Sequence, residues 1–343
     1  MFGGYVGSGL VLSGTSMLAR VGLLAAICVA PVWPLEAQGP AADAIRYVEH
    51  QGVGREFILY RPAAAIAAGA APLVVVLHGL GVSAHDTRNW GYEPIADREG
   101  LIVAYPRGIE GRWSYGRPVS RLQMPRVGEE QADDIGFLAR LLDTLVAEQL
   151  ADRSRLFVVG LSNGALMAYA AACAMTRRFA AVAALLSPMT DLQIEDCKPE
   201  GAIPIMVLAG THDRSMPYGG AKLQSGSLVS IQDTIGHWRQ VNSCDGFQIR
   251  PVPHRSSDDL TRLMVMHWAT CADGVEIVSY RVEGGGHHAP SLAPASDAAG
   301  VGAEGGCQKP RHRHRRGGLE LLQALLASLT PTVSQGQSAA ANR

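Results

Sequence analysis

Apolar residues fall along the chain in two rhythms. Leu73 to Leu77, Leu101 to Tyr105, Arg155 to Val159, Val182 to Leu186, Ile205 to Leu208 and Val275 to Val282 are short, nearly unbroken apolar runs. Such runs are the pattern of strands buried on both faces. Between them the spacing becomes helical. From Asp133 to about Leu150, Leu138, Leu141, Leu142 and Leu145 stand at i, i+3, i+4 and i+7 and form one apolar stripe. Asp133 and Asp134 open that segment, where capping and the helix dipole favour a carboxylate. A second helix is expected near residues 90–98. Ahead of the first buried run, Ile45–Gln51 and Arg55–Pro62 read as two strands around a Gly52-Val53-Gly54 turn, an antiparallel pair at a sheet edge. Strand and helix alternate. The predicted fold is therefore α/β, a mostly parallel central sheet with helices on both faces.

One junction carries more information than the others. The strand at Arg155–Val159 runs into Gly160-Leu161-Ser162-Asn163-Gly164, and an Ala-, Leu- and Met-rich helical stretch follows. Strand, G-x-S-x-G, helix is the signature of a nucleophile elbow, in which a tight turn exposes a serine above a helix N-terminus. The flanking glycines are expected where a side chain would collide with neighbouring backbone. An ordinary turn in which Ser162 merely caps the helix is the plain alternative.

In a parallel α/β sheet, functional residues gather beyond the strands' carboxyl ends. Those positions hold His78-Gly79-Leu80, then Ser162, then Thr211-His212-Asp213, then Gly284-Gly285-Gly286-His287-His288. The order Ser, Asp, His is that of the α/β-hydrolase fold. Ser162 needs a base to take its proton, and His287 is the candidate. The imidazole needs a carboxylate to hold its tautomer, and Asp213 is the candidate. A tetrahedral oxyanion needs preorganised N–H donors, for which Asn163 and Leu80 are placed. His288 is the alternative base, and the glycine spacing favours His287. Asp258 or Asp259 is the alternative acid, although both lie in a polar insertion and not after a strand. His212 is expected to line a loop, and His237, His254 and His267 to lie on the surface or in the insertion.

Composition narrows the class. The chain has 343 residues, 47% hydrophobic and 18% charged, with a formal net charge of −1. That is enough for one large domain, predicted over 38–330, and it argues against nucleic acid or an anionic membrane surface as a partner. Residues 1–37 read as a secretory signal peptide. Met17-Leu18-Ala19-Arg20 is a short basic start, Val21 to Val32 an apolar run, and Ala37 a small residue near the cleavage point. The apolar run is shorter than a span requires, so no stable membrane association is expected. Export implies an oxidising compartment, and the cysteines are expected to pair as Cys173–Cys197 and Cys244–Cys271, leaving Cys307 over. No metal or organic cofactor is called for. Residues 289–317 read as an irregular insertion ending in the basic stretch 309–316, a solvated loop or a metal or polyanion site. Residues 319–329 are expected to form a closing helix and 331–343 a disordered tail.

Several of these stretches occur together in a recognisable order. They are His78-Gly79, the Tyr105-Pro106-x-Gly108 turn, Trp113, Asp133-Asp134-x-Gly136-Phe137, the elbow at Ser162, Gly210-Thr211-x-Asp213 with Pro217-Tyr218, the Trp238 helix, and Gly284-Gly285-Gly286-His287. From about Arg46 to His288 the chain resembles the secreted esterases that include polyhydroxybutyrate depolymerases of the LpqC-like kind and feruloyl and acetylxylan esterases. The resemblance implies Ser162 as nucleophile, Asp213 as acid, His287 as base and a Cys244–Cys271 disulfide. His78, Trp113 and Tyr218, within the shared motifs, are candidates to touch substrate, with packing as the alternative for Trp113 and nearby Tyr115. After His287, His288-Ala289-Pro290 departs from the usual pattern. The implied activity is secreted carboxylic-ester hydrolysis through an acyl-enzyme, on a polyester oligomer, a plant cell-wall ester or a small ester. A serine peptidase, a thioesterase and a decayed binding module are the alternatives. No feature sets an oligomeric state.

Overall fold

A computed structural model describes residues 42–116, 132–224, 226–253 and 261–288. The expected leader, the 289–317 insertion, the closing helix, the tail, Cys28, Cys307, His254, Asp258 and Asp259 lie outside the described residues. The chain enters as a hairpin, β1 (Ala42–His50) and β2 (Val53–Arg61), and continues through α1 (Ala63–Ala68), β3 (Ala71–Leu77), α2 (Ala84–Arg88), α3 (Glu93–Glu99) and β4 (Ile102–Pro106). Then follow α4 (Asp134–Ala147), β5 (Ala151–Leu161), α5 (Asn163–Ala174), β6 (Ala181–Leu185), α6 (Asp191–Asp196) and β7 (Ile205–Gly210). A small hairpin, β8 (Ala221–Leu223) and β9 (Gly226–Leu228), precedes α7 (Ile231–Val241), β10 (Gln248–Val252), β11 (Arg262–Trp268) and β12 (Ile277–Glu283).

The main sheet has the order β1-β2-β4-β3-β5-β6-β7-β12-β11-β10. Its centre, β4 to β12, is parallel, and the pairs at both margins are antiparallel. The unbroken apolar runs are the central strands, because each sends alternate side chains into two different cores. Leu73, Val75 and Leu77 of β3 join Leu138, Leu141, Leu142 and Leu145 of α4, most of α5, and Trp238 of α7. Val74 and Val76 join Tyr92, Ile95 and Ala96 at α3 on the other face. The stripe read from α4 is thus its buried face. Helix α5 is apolar all round and is buried from Gly164 to Tyr169, the environment such a helix requires.

The structure adds two things to the predicted plan. The β1–β2 turn is Gln51-Gly52, both at positive φ (51° and 76°), so Val53 and Gly54 already belong to β2. A two-residue turn of that kind matches the twist of the strands it joins. The segment expected to be a polar insertion also holds β10 and β11, which extend the sheet antiparallel beyond β12. Both expected disulfides are present. Cys173–Cys197 joins the end of α5 to the end of α6, and Cys244–Cys271 links the segments that follow α7 and β11. No helix among the described residues is long and apolar enough to cross a membrane.

Candidate active site

Strand β5 ends at Leu161, and Ser162 follows with φ 57° and ψ −115°. That backbone is strained for a residue with a side chain, and it persists only where surroundings enforce it. Here the Ser162 N–H donates to the Leu185 carbonyl of β6 (2.8 Å), and α5 starts at once. The two glycines make the turn possible. A side chain on Gly160 would run into the Gly164 backbone, and one on Gly164 into the carbonyl oxygens of Leu77 and His78. The Ser162 hydroxyl does not cap α5. It lies 3.0 Å from Nε2 of His287.

His287 Nδ1 lies 2.7 Å from Asp213 Oδ2. An ionised carboxylate only accepts, so Nδ1 carries the proton and Nε2 is left to accept from Ser162. The other oxygen of Asp213, Oδ1, accepts the N–H groups of Ser215 and Met216, each at 2.8 Å. The carboxylate is buried and its orientation is set from both sides. The loops that carry Asp213 and His287 are also stitched to each other. Thr211 N–H donates to the Val282 carbonyl (2.9 Å), His212 N–H to the Gly285 carbonyl (2.8 Å), and Gly284 N–H to Thr211 Oγ1 (2.9 Å). The backbones approach so closely that a side chain on Gly210 would overlap the Gly285 carbonyl. The missing side chain at Gly210 thus lets the His287 loop lie on the Asp213 loop.

The Leu80 N–H donates to no backbone carbonyl among the described residues. The Asn163 N–H is the first of α5, where no preceding turn offers an acceptor. The side chain of Asn163 is bound to the segment after β4, with Oδ1 accepting the Trp113 N–H at 2.8 Å. Loop geometry on the Leu80 side is set by His78. Gly108 N–H donates to His78 Nε2 (2.9 Å), so Nδ1 carries the hydrogen and donates to the Gly79 carbonyl (2.7 Å). A ring nitrogen that accepts makes this imidazole neutral, and burial is the largest cause holding its pKa below the ordinary value.

The residues expected to touch substrate have other surroundings. His78 and Trp113 are 0% and 1% exposed. Their rings lie against each other with centroids 4.7 Å apart, and the Trp113 indole N–H donates to the His78 carbonyl (2.9 Å). Both brace the loops of the site from inside; Tyr115 is buried with them. Tyr218 is half-buried beneath the Arg281 guanidinium and packs on the larger core. Leu80, by contrast, is 38% exposed. His212 is exposed on the Asp213 loop, as a loop-lining residue should be. His267 pairs with Glu276 at 2.9 Å. His237 differs from the surface residue expected, since it is half-buried edge-on to Trp238. Among the described residues no group of three His, Cys, Asp or Glu side chains is gathered closely enough to hold a metal ion.

Three comparisons fit this geometry. Residues 89–203 match the model of the prolyl oligopeptidase family. In solved structures, the chain is similar to the acetyl xylan esterase from Aspergillus awamori, with TM-score 0.51 and 15% identity, over 73% of this chain and 94% of that one. The fold is that of an α/β-hydrolase. Among relatives by sequence, this chain is 27% identical over 300 residues to a protein of Nocardia uniformis subsp. tsuyamanensis named as the esterase NocK, spanning 81% of this chain and 83% of that protein. It is 26% identical over 252 residues to the bifunctional acetylxylan esterase/xylanase XynS20E of Neocallimastix patriciarum, 73% of this chain but 33% of that protein. Both relatives carry esterase names, as does the solved structure.

Proposed function

We propose that the protein is a serine carboxylic-ester hydrolase that works through an acyl-enzyme. The observation that carries this reading is the unbroken hydrogen-bonded chain from Ser162 Oγ through His287 to Asp213. Ser162 Oγ attacks the ester carbonyl while His287 Nε2 takes its proton, and the carbonyl oxygen becomes an oxyanion. The N–H groups of Asn163 and Leu80 stabilise that charge, each contributing about 3 kcal/mol to lowering the barrier. His287 then protonates the departing alcohol, and water repeats the sequence to release the acid. Asp213 stays ionised and holds the imidazolium in place. The side chains present suffice for this chemistry.

Esterase names among relatives by sequence support ester substrates, and those names point to acetyl and feruloyl esters of plant cell-wall polysaccharides. Polyester oligomers are a further class suggested by the motif pattern. Two disulfides suit an oxidising compartment and support export. The match to the prolyl oligopeptidase family favours one second reading, peptide-bond cleavage by the same residues. Turnover of a short nitrophenyl ester tests the first reading. Ser162→Ala is expected to lower kcat about 10⁴-fold or more, and Asp213→Asn by about 10⁴-fold, with KM little changed. Turnover equal in wild type and Ser162→Ala would sink the proposal. Methyl ferulate, acetylated xylan, a hydroxybutyrate oligomer and a peptide amide then sort the substrate, and a preference for the amide would favour the peptidase.

A further inference from the structure

The segment just after β4 holds, through Trp113, both sides of the candidate oxyanion site. Its Trp113 N–H binds Asn163 Oδ1, next to Ser162, and its indole N–H binds the carbonyl of His78, two residues before Leu80. One short stretch therefore grips the two loops whose N–H groups would meet the oxyanion. What grips the stretch is an ion pair from elsewhere. Arg55 of β2 donates from Nη2 to Asp134 Oδ1 at 2.6 Å, and the Ser114 N–H donates to Asp134 Oδ2 at 2.7 Å. Arg55 is 4% exposed and Asp134 1%. The guanidinium also lies over the Phe137 ring, 4.0 Å from its centroid.

Capping of α4 does not require this pair. Asp133 already caps α4, accepting the Gly136 N–H at 2.8 Å. Desolvating two charges is costly, and well-packed apolar side chains in place of a buried pair are often as stable or more so. The pair supplies what an apolar pair lacks: a donor from Arg55 to the Arg107 carbonyl (3.4 Å) and, on Asp134, a fixed acceptor for Ser114, which sets where Trp113 sits.

We propose that Arg55 and Asp134 are positioning residues for the oxyanion-binding N–H groups, acting through Ser114 and Trp113. The proposal rests on the esterase reading and deepens it. Loss of the pair should leave substrate binding intact and weaken only transition-state stabilisation, because an oxyanion forms only there.

Two double variants test this on a short nitrophenyl ester. Arg55→Met with Asp134→Leu removes both charges and the Ser114 acceptor. Arg55→Met with Asp134→Asn removes the charges but keeps an amide oxygen for Ser114. The first is expected to fold with Tm near wild type, to lose about 10-fold or more in kcat, and to keep KM within about twofold. The second should recover kcat to within about threefold of wild type. Unchanged kcat in a folded first variant overturns the proposal, as does equal loss of kcat in both doubles. A rise in KM at constant kcat overturns it too, and so does failure of both to fold, which would assign the pair to stability. Labelling of Ser162 by a fluorophosphonate keeps the two claims apart. A wild type that neither labels nor turns over ester refutes the esterase reading itself. A wild type that does both, alongside unaffected variants, refutes the positioning role alone.

Discussion

Ser162 is held by its neighbours, and the smallest of them set the tightest limits. Gly164 has the carbonyl oxygens of Leu77 and His78 where a Cβ would go, and these are backbone atoms at the end of a buried strand. They cannot swing aside as a side chain can. Gly164→Ala is therefore expected to destabilise the fold by about 3 kcal/mol or more, at or above the upper end of ordinary overpacking, and to displace Ser162 from His287. Chemical denaturation and fluorophosphonate labelling measure the two effects. An alanine variant with wild-type stability and labelling rate would show that β3 and α5 can separate freely. These contacts explain why the elbow was legible in the sequence, since a five-residue motif with two obligatory glycines is visible without coordinates. His78 was harder to read. A histidine after a buried strand looks like a substrate contact, and only the Gly108 N–H on its Nε2 marks it as an internal brace.

At the scale of elements, legibility followed burial. Strands buried on both faces, such as β3 and β6, show as unbroken apolar runs, and α4 shows as a stripe because one of its faces meets water. β10 and β11 lie at the sheet's margin, where Gln248 to Pro251 are all exposed and burial along β11 is partial. For β10, a strand with little to bury leaves little apolar pattern; β11 does carry the apolar run Leu263-Met264-Val265-Met266, and only the polar residues around it made the stretch look like a polar insertion. The cysteines on either side of it were the better guide. Each disulfide closes a short loop, with sequence separations of 24 and 27 residues. By the chain-entropy argument each contributes about 3 kcal/mol, mainly by restricting the unfolded chain. Cys173→Ala with Cys197→Ala is expected to lower the unfolding free energy by about that amount while sparing kcat, because the bridge lies at the end of α5 remote from Ser162. Urea denaturation with ester assays on the same samples decides it. A large fall in kcat without loss of stability would mean that α5 transmits strain along its length.

Buried groups act on the whole molecule's response to pH with both signs: desolvation raises the Asp134 carboxyl, which favours the folded state in acid, and lowers two imidazoles, which does the reverse. Two imidazoles, His78 and His237, have their pKa lowered by desolvation. In the unfolded chain each titrates near 6.5. Below that pH the unfolded chain binds protons that the folded chain rejects, so stability falls as pH falls, until the folded-state pKa values are reached. His78 is fully enclosed and contributes a slope of at most about 1.4 kcal/mol per pH unit; His237 is partly solvated and contributes less. The same two groups lie apart in the fold, one in the loop after β3 and the other on α7. Acid should therefore weaken the folded state as a whole through both groups. Denaturation midpoints at pH 7.5 and pH 5.5 measure this for wild type and for His78→Gln. The variant is expected to be less stable at pH 7.5, because the Gly108 N–H loses its imidazole acceptor, yet to lose less stability on acidification. If wild type and variant lose the same amount between those pH values, His78 is not a source of the acid sensitivity, and the neutral brace assigned to it is wrong.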